Sequence, residues 1–354
     1  MNPEILFDKA VQARLSSQFK SAQKVYRSIL KVLKDPSQRA EAYLGLADVE
    51  RIQGDFQSSL IHYESGEKFL KKLGDHIGYT DAKVGWALAA RAVGRPQEAL
   101  KNLVAALPLY RREKDLQGEA FVHWALGGTY RIAGDMNKSL KELQTAYRLY
   151  KKLKDTEGLA YTCCALGGIY RMLGRYAESG KYYREANRRM RKRKDTFGIA
   201  YSYCGLGNVE RMAGRFKQAL PFYRKAEKLY GTIGDKVSYA YTLWSIGTAE
   251  KMLARYPQAR KAFQAADKLF LTTGDTRGRI YTLLGFAEVE WLEGHPSVGF
   301  ANWKKAKSIA DQSRFAWEKL HVQALKYGQV NPMARKYHQA GSLFYPVTFP
   351  VNWP

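Results

Sequence analysis

Cysteine is scarce in this sequence: three are present in 354 residues, Cys163, Cys164 and Cys204. All three fall in segments predicted to be helical, and no histidine or further cysteine stands beside them at metal-ligand spacing. This pattern argues against a disulfide-stapled extracellular module and against a zinc site. We therefore expect no metal, no cofactor and a reducing, cytoplasmic location.

Long apolar runs are absent too. No stretch approaches the roughly 20 apolar residues of a membrane-spanning helix, and residues 1–20 lack the apolar run of a signal peptide. Acidic residues are few, 33 against 58 lysines and arginines, which gives a formal net charge of +25. This balance favours acidic partners, such as acidic peptides, nucleic acid or anionic lipid, although a well-solvated surface would also account for it.

A period of 40 residues organises most of the chain. Gly134, Gly174 and Gly214 lie 40 residues apart, each in a predicted turn between two amphipathic helices. Glycine suits the left-handed residue just past a helix end. Other aligned positions of successive repeats, here called columns, keep the same period. One column holds predicted helix N-caps: Asp75, Asp115, Asp155, Asp195, Asp235 and Asp275. Such a period indicates stacked helix pairs.

The stretch from Gly158 to Asp195 resembles the tetratricopeptide repeat family. The residues that match the family's spacing are Leu166, Gly167, Tyr170, Gly174, Tyr176, Ser179, Tyr183 and Ala186. Ser179 replaces the family's alanine, and the usual proline after the second helix is missing. The longer second helix is similar to the repeats of kinesin light chains, the polarity adaptor Pins and bacterial Rap regulators. The resemblance covers residues 3–311.

Period and resemblance together predict an all-α fold, a right-handed superhelical solenoid of about eight helix pairs with no β-sheet. The solenoid is expected over residues 1–312, with a first repeat at 3–36 and seven repeats of 40 residues after it. Residues 313–340 should carry a capping helix, which we place at Ser313–Tyr327. Residues 341–354, here called the C-terminal segment, contain three prolines and should be extended.

The resemblance implies that the first helix of each pair lines a concave groove. One groove column carries tyrosines: Tyr161, Tyr201, Tyr241 and Tyr281. A second, here called the cation column, carries Arg91, Arg131, Arg171, Arg211 and Lys251. In the family a third column holds an asparagine that binds a peptide's backbone, and here only Asn208 matches. Arginine offers planar donors for carboxylate or phosphate and stacks on aromatic rings.

These columns predict a non-catalytic scaffold that holds an acidic or extended segment of another protein. Duplication of a solvated helix face would produce the same columns. Two other functions stay open: sequence-independent nucleic-acid binding through arginine and tyrosine, and a fixed subunit of a larger assembly. The basic run Lys181–Lys194 is interpreted as a solvated helix face. The six histidines form no triad or metal spacing, so no enzyme is expected.

The C-terminal segment is rich in aromatic residues, which is unusual for a solvated linker. Its four aromatics are Phe344, Tyr345, Phe349 and Trp353. We expect Phe344, Phe349 and Trp353 to be buried. The segment then either covers the chain's own last repeats or inserts into a partner, and the sequence leaves both open.

Overall fold

The structure is a computed structural model. It describes residues 3–16, 18–313, 315–326, 328–330, 333–339, 346 and 348–353. Phe344, Tyr345 and Tyr327, which entered the predictions above, lie outside the described residues.

Helix pairs follow one another along almost the whole described chain, and each packs on the next. The first four pairs are α1 (Pro3–Leu15) with α2 (Phe19–Ile29), α3 (Pro36–Gln53) with α4 (Phe56–Leu73), α5 (His76–Ala92) with α6 (Pro96–Arg112), and α7 (Leu116–Ala133) with α8 (Met136–Lys152). The next four are α9 (Thr156–Met172) with α10 (Tyr176–Lys192), α11 (Thr196–Met212) with α12 (Phe216–Ile233), α13 (Lys236–Met252) with α14 (Tyr256–Thr273), and α15 (Thr276–Leu292) with α16 (Pro296–Gln312). The predicted all-α solenoid is confirmed.

The cap region differs from the prediction in its second half. Helix α17 covers Ala316–Ala324 and is followed by a short antiparallel hairpin, β1 (Leu325–Lys326) with β2 (Gln329–Val330), and by helix α18 (Ala334–Gln339). Expecting one helix through residue 327 and no β-sheet was therefore wrong at this point. Gly328 has a φ of 71°, a left-handed conformation that glycine adopts without strain and that suits a tight hairpin.

The repeated aspartates are helix caps, as predicted. Asp195 Oδ1 accepts a hydrogen bond from the backbone N–H of Gly198 at 2.8 Å, and Asp75, Asp115, Asp155, Asp235 and Asp275 do the same at the equivalent place. Each bond satisfies one of the N–H groups that a helix start leaves unpaired. The column is structural, and its carboxylates are occupied.

Aromatic side chains of the second helices wedge between neighbouring pairs. Phe263 of α14 is fully buried between Gly247 of α13 and Gly285 of α15. A methyl group at Gly247 would lie 2.7 Å from Phe263 Cδ1, and one at Gly285 would lie 2.7 Å from Phe263 Cζ. Because both sides are closed, the ring cannot move away from either glycine. The two glycines thus set how closely α14 packs against α13 and α15.

The superhelix curves so strongly that its early and late helix pairs contact each other. Gly54, in the turn of the second pair, faces the seventh pair so closely that a methyl group there would lie 2.6 Å from Val237 Cγ2 and 2.9 Å from Thr273 Cγ2. Gly94, in the third pair, meets Phe315 in the same way at 3.2 Å. The second and third pairs therefore contact the C-terminal part of the chain across an inner surface that stays partly open.

We predict that Gly247→Ala lowers the free energy of unfolding by about 2 kcal/mol, because the new methyl group overpacks against a ring that has no space to yield. The matched control is Gly231→Ala in α12, where an added Cβ meets no atom within 4 Å. That change should stabilise by about 0.5 kcal/mol, since alanine has the higher helix propensity. Urea denaturation measures both. Equal effects of the two substitutions would contradict the wedge.

Candidate functional site

The cation column lies at the inner ends of the first helices. Arg91, Arg131, Arg171 and Arg211 occupy the last turns of α5, α7, α9 and α11, where a positive charge favours the helix dipole. These side chains converge on a partly open space of about 250 Å³, here called the central cavity. The helix period thus brings residues 40 positions apart in sequence to one place.

Five arginines line the central cavity, and no carboxylate does so within the described part of the chain. The fifth is Arg277, whose Nε donates to Glu318 Oε1 at 2.5 Å outside this lining. The uncharged part of the wall includes Trp124, Trp244 and the small residues of the helix contacts. The residues that line the cavity include Arg91, Trp124, Gly128, Arg131, Gly168, Arg171, Tyr201, Asn208, Arg211, Tyr241, Trp244, Arg277 and Tyr281.

Most of these guanidinium groups have neutral partners or none. Arg91 Nη1 donates to the carbonyl of Ala125 at 3.2 Å, and its Cζ lies 5.8 Å from the Trp124 ring centroid. Arg171 Nε and Nη1 are buried without any hydrogen-bond acceptor among the described atoms. Buried donors without acceptors are costly. An arriving anion would satisfy them.

Burial and mutual repulsion act against the positive charge in the cavity. Burial, with the nearby Arg131 and Arg51, lowers the pKa of Arg91 to about 9. The pKa of Arg131 is lowered by burial and then by Arg277 and Arg171, although Tyr201 opposes the shift. A carboxylate or phosphate in this space would reverse both shifts by supplying the missing opposite charge.

Several tyrosines of the groove column form hydrogen bonds that stabilise the fold. Tyr161 donates its hydroxyl hydrogen to the capping Asp195 at 2.8 Å, and Tyr241 donates to Asp275 at 3.3 Å. Tyr281 donates to the buried Glu318 at 3.0 Å. Tyr201, Tyr241 and Tyr281 line the central cavity, whereas Tyr161 is engaged between adjacent pairs. Sequence columns do not reveal this division, because the acceptors lie 34 or more residues away.

Asn208 is held by residues of its own repeat and of the next one. Its Oδ1 accepts hydrogen bonds from the Tyr223 hydroxyl at 2.8 Å and from Ser245 Oγ at 3.3 Å. The Tyr223 hydroxyl also accepts from Arg211 Nε at 3.1 Å. Asn208 therefore helps to hold Tyr223 and Arg211, and its carbonyl oxygen already has donors.

The described part of the C-terminal segment lies inside the solenoid. Lys251 Nζ donates to the Val351 carbonyl at 2.8 Å, and Arg211 Nη1 donates to the Trp353 carbonyl at 2.6 Å. Glu288 accepts from the backbone N–H of Val351 at 2.6 Å and from Trp353 Nε1 at 2.7 Å. Val351 and Trp353 are 2% and 1% exposed, so residues 351–353 are held inside by these contacts. The chain bends at residues 348–350, and the prediction of an extended segment is wrong there.

Glu288 is the segment-contacting residue that the sequence reasoning missed. It occupies the column of Asn208, and it is the residue there that contacts the segment. Its Oε2 also forms an ion pair with Lys251 at 2.8 Å, with both side chains fully buried. Burial lowers the pKa of Lys251, and the attraction of Glu288 opposes that shift. A glutamate at the peptide-binding column was the available signal.

The remaining predicted contacts are weaker or differently used. Phe349 is half-buried, with its ring 6.4 Å from that of Trp291. Arg188 and Arg189 of the basic run pair with Glu185, at 2.5 and 2.7 Å, which fits a solvated helix face. No helix among the described residues is long and apolar enough to cross a membrane.

One group of side chains among the described residues has the spacing of metal ligands. Glu290, Glu293 and His295 place ligand atoms within 4.8 Å of one another. Arg260 forms ion pairs with both glutamates, including one of 2.9 Å to Glu290. The guanidinium already supplies the positive charge that a metal would bring, so the cluster is an ion-pair network.

Comparison with known proteins finds a repeat family that matches the middle of the chain. The family model described as "Tetratricopeptide repeat" matches residues 80–152 and 158–232. No curated protein sequence matches the chain.

Several solved structures share the fold. A Rap protein complexed with Competence and Sporulation Factor is 13% identical, with a TM-score of 0.65 over 89% of this chain and 99% of its own. The Rap conjugation gene regulator of plasmid pLS20, in complex with the Phr* peptide, is 12% identical, with a TM-score of 0.62 over 88% and 96%. The apo quorum sensor NprR from B. thuringiensis is 16% identical, with a TM-score of 0.59 over 87% and 88%.

His321 should make the free energy of unfolding of the protein depend on pH. Its ring lies 4.6 Å from that of Trp353, its Nδ1 is 2.8 Å from the Tyr337 hydroxyl, and burial lowers its pKa from 6.5 to about 4, against the attraction of Glu318. Between these two pH values the unfolded chain binds a proton that the folded chain does not. The free energy of unfolding should therefore fall as the pH drops from 6.5 to 4, by up to about 3 kcal/mol.

Urea denaturation at several pH values measures this dependence, and His321→Gln isolates it. The variant should be less stable at pH 7 because the ring packing is lost. Its stability should fall less steeply than that of the unmodified protein over the same pH window. Parallel pH profiles would show that His321 titrates alike in both states.

Proposed function

We propose that this chain, a solenoid of tetratricopeptide repeats, is a non-catalytic scaffold that holds an acidic, extended segment of another protein in its central cavity. The observation that carries the proposal is the cavity wall, where five arginines stand without a carboxylate among the described lining residues. Charge of one sign in a confined, partly buried space is unfavourable unless an opposite charge arrives. Aspartate or glutamate side chains supply that charge.

A polypeptide fits this cavity better than a nucleic acid strand. Binding of single strands relies on aromatic faces that are open for stacking with successive bases. Here Trp244 and Tyr281 are 5% and 4% exposed, so their faces are already covered, whereas Tyr201 in the same wall is 39% exposed. A volume of about 250 Å³ accommodates a few side chains. The solved structures of similar fold that hold a signalling factor or a peptide support the same choice.

Docking of the chain through its C-terminal segment onto a larger assembly is the less favoured alternative. Val351 and Trp353 are buried within the chain's own solenoid, where Lys251, Arg211 and Glu288 contact them. An anchor for another protein would have to give up these contacts first.

The proposal predicts which peptides the protein selects. Random dodecapeptides displayed on phage and selected on the full chain should become enriched in aspartate and glutamate. For a selected peptide, Arg131→Glu combined with Arg171→Glu should weaken binding about 30-fold, because attraction becomes repulsion in a partly buried site, at a cost of about 2 kcal/mol. Fluorescence anisotropy with the labelled peptide measures the affinity.

The control is Arg148→Glu, which reverses an exposed charge on a second helix and should leave the affinity unchanged. Peptides without acidic enrichment, or equal binding by all variants, would refute the acidic-segment proposal. A labelled single-stranded oligonucleotide serves as the second probe, at about 0.15 M salt. Tight binding of the oligonucleotide that the double variant loses would favour the nucleic-acid function instead.

A further inference from the structure

The C-terminal segment is recognised in part through its backbone. Val351 uses its N–H and its carbonyl, and Trp353 uses its carbonyl, in contacts with Glu288, Lys251 and Arg211. These three side chains come from three successive helix pairs. Backbone groups of an extended segment that are satisfied by side chains of a groove are the pattern of peptide recognition, in which the side chains of the segment add specificity.

Asn352 and Trp353 supply that specificity. The Asn352 side chain accepts from Arg211 Nη1 at 2.5 Å and donates from Nδ2 to the Arg211 carbonyl at 2.8 Å. The Trp353 indole donates to Glu288 and packs on His321. The described residues of the segment thus present a complete set of donors and acceptors to one part of the groove.

The same column continues into the central cavity beyond the segment. Arg211 and Lys251 are occupied by it, whereas Arg91, Arg131 and Arg171 have no carboxylate partner in the described chain. The occupied and unoccupied positions are equivalent residues of successive repeats. The segment therefore occupies two positions of a longer binding surface.

The described residues of the segment bring no carboxylate to Arg211. Val351, Asn352 and Trp353 carry no charge, and Arg211 is fully buried against them. Burial lowers the pKa of Arg211, with a further contribution from Arg171, while Tyr223 opposes the shift. A carboxylate at this position would gain an ion pair that the segment does not provide.

We propose that residues 349–353 are a tethered ligand of the chain's own groove, which an acidic partner segment displaces from Arg211. The nature of the displacing segment rests on the function proposed above, whereas the tethered ligand rests on the contacts alone. The tether provides an effective concentration of about 1 mM, so a segment that binds in trans with a Kd of about 10–100 μM would stay mostly bound in cis.

The test separates the segment from the folded protein. A protease site is inserted after Gln339, the full-length variant is folded and cut, and the released fragment is removed by gel filtration. The probe is a fluorescein-labelled synthetic peptide of residues 346–354. The cut protein should bind it with a Kd of about 10–100 μM, and the uncut protein at least about tenfold more weakly.

Two matched controls define the site. The peptide with Trp353→Ala lacks the indole donor and its packing on His321, whereas Glu288→Gln in the cut protein replaces one of two acceptor oxygens by an NH2 group and removes the ion pair to Lys251. Each should therefore bind at least about tenfold more weakly. Circular dichroism before and after cutting reports the fold. A cut protein that keeps its helices but does not bind the peptide overturns the proposal.

Loss of helical structure on cutting also overturns the proposal, because the segment would then belong to the core. A cut protein that binds the labelled segment but none of the acidic peptides would refute the proposed function and leave the tethered ligand in place. Displacement of the labelled segment by an acidic peptide supports both.

Discussion

The aromatic wedges between helix pairs hold the rest of the structure in place. Tyr223 illustrates how packing and binding surface are connected. Its ring lies against Gly207, where an added methyl group would come within 2.5 Å of Cε1, and its hydroxyl reaches Arg211 and Asn208. Tyr63 joins Arg51 and Asp48 in the same way. The side chain that spaces the two helices of a pair thus also orients a cation at the end of the first helix.

This arrangement gives the solenoid a polar interior that it does not neutralise. The second to seventh pairs each contribute a cation at the end of the first helix, and the superhelix brings several of these cations together. Near the C-terminal pairs the chain supplies its own partners, with Glu288 beside Lys251 and Glu318 beside Arg277. Around Arg131 and Arg171 no described residue supplies a carboxylate. Sites kept at a cost to stability in this way are typical of binding surfaces.

The sequence predicts the structural features that recur in every repeat and few of those that occur once. Helix pairs, caps and wedge contacts follow from local patterns with a fixed period, so Gly174 or Asp195 identifies an element without its surroundings. The hairpin around Gly328 and the path of Val351 and Trp353 occur once, outside the period. The segment's position depends on Glu288, which is 65 residues from Trp353 in the chain and becomes its neighbour only in the folded state.

The central claim is that Arg91, Arg131 and Arg171 have no carboxylate partner among the described residues of the protein alone. The free energy of unfolding of Arg131→Gln, measured without ligand at low ionic strength, tests it most directly. Removal of a repelled charge should raise that free energy by about 1 kcal/mol. The gain should shrink with added salt, and Arg148→Gln on an exposed surface should change stability by less than about 0.5 kcal/mol. A loss of stability in Arg131→Gln would instead show that the guanidinium is held by partners, and would contradict the account.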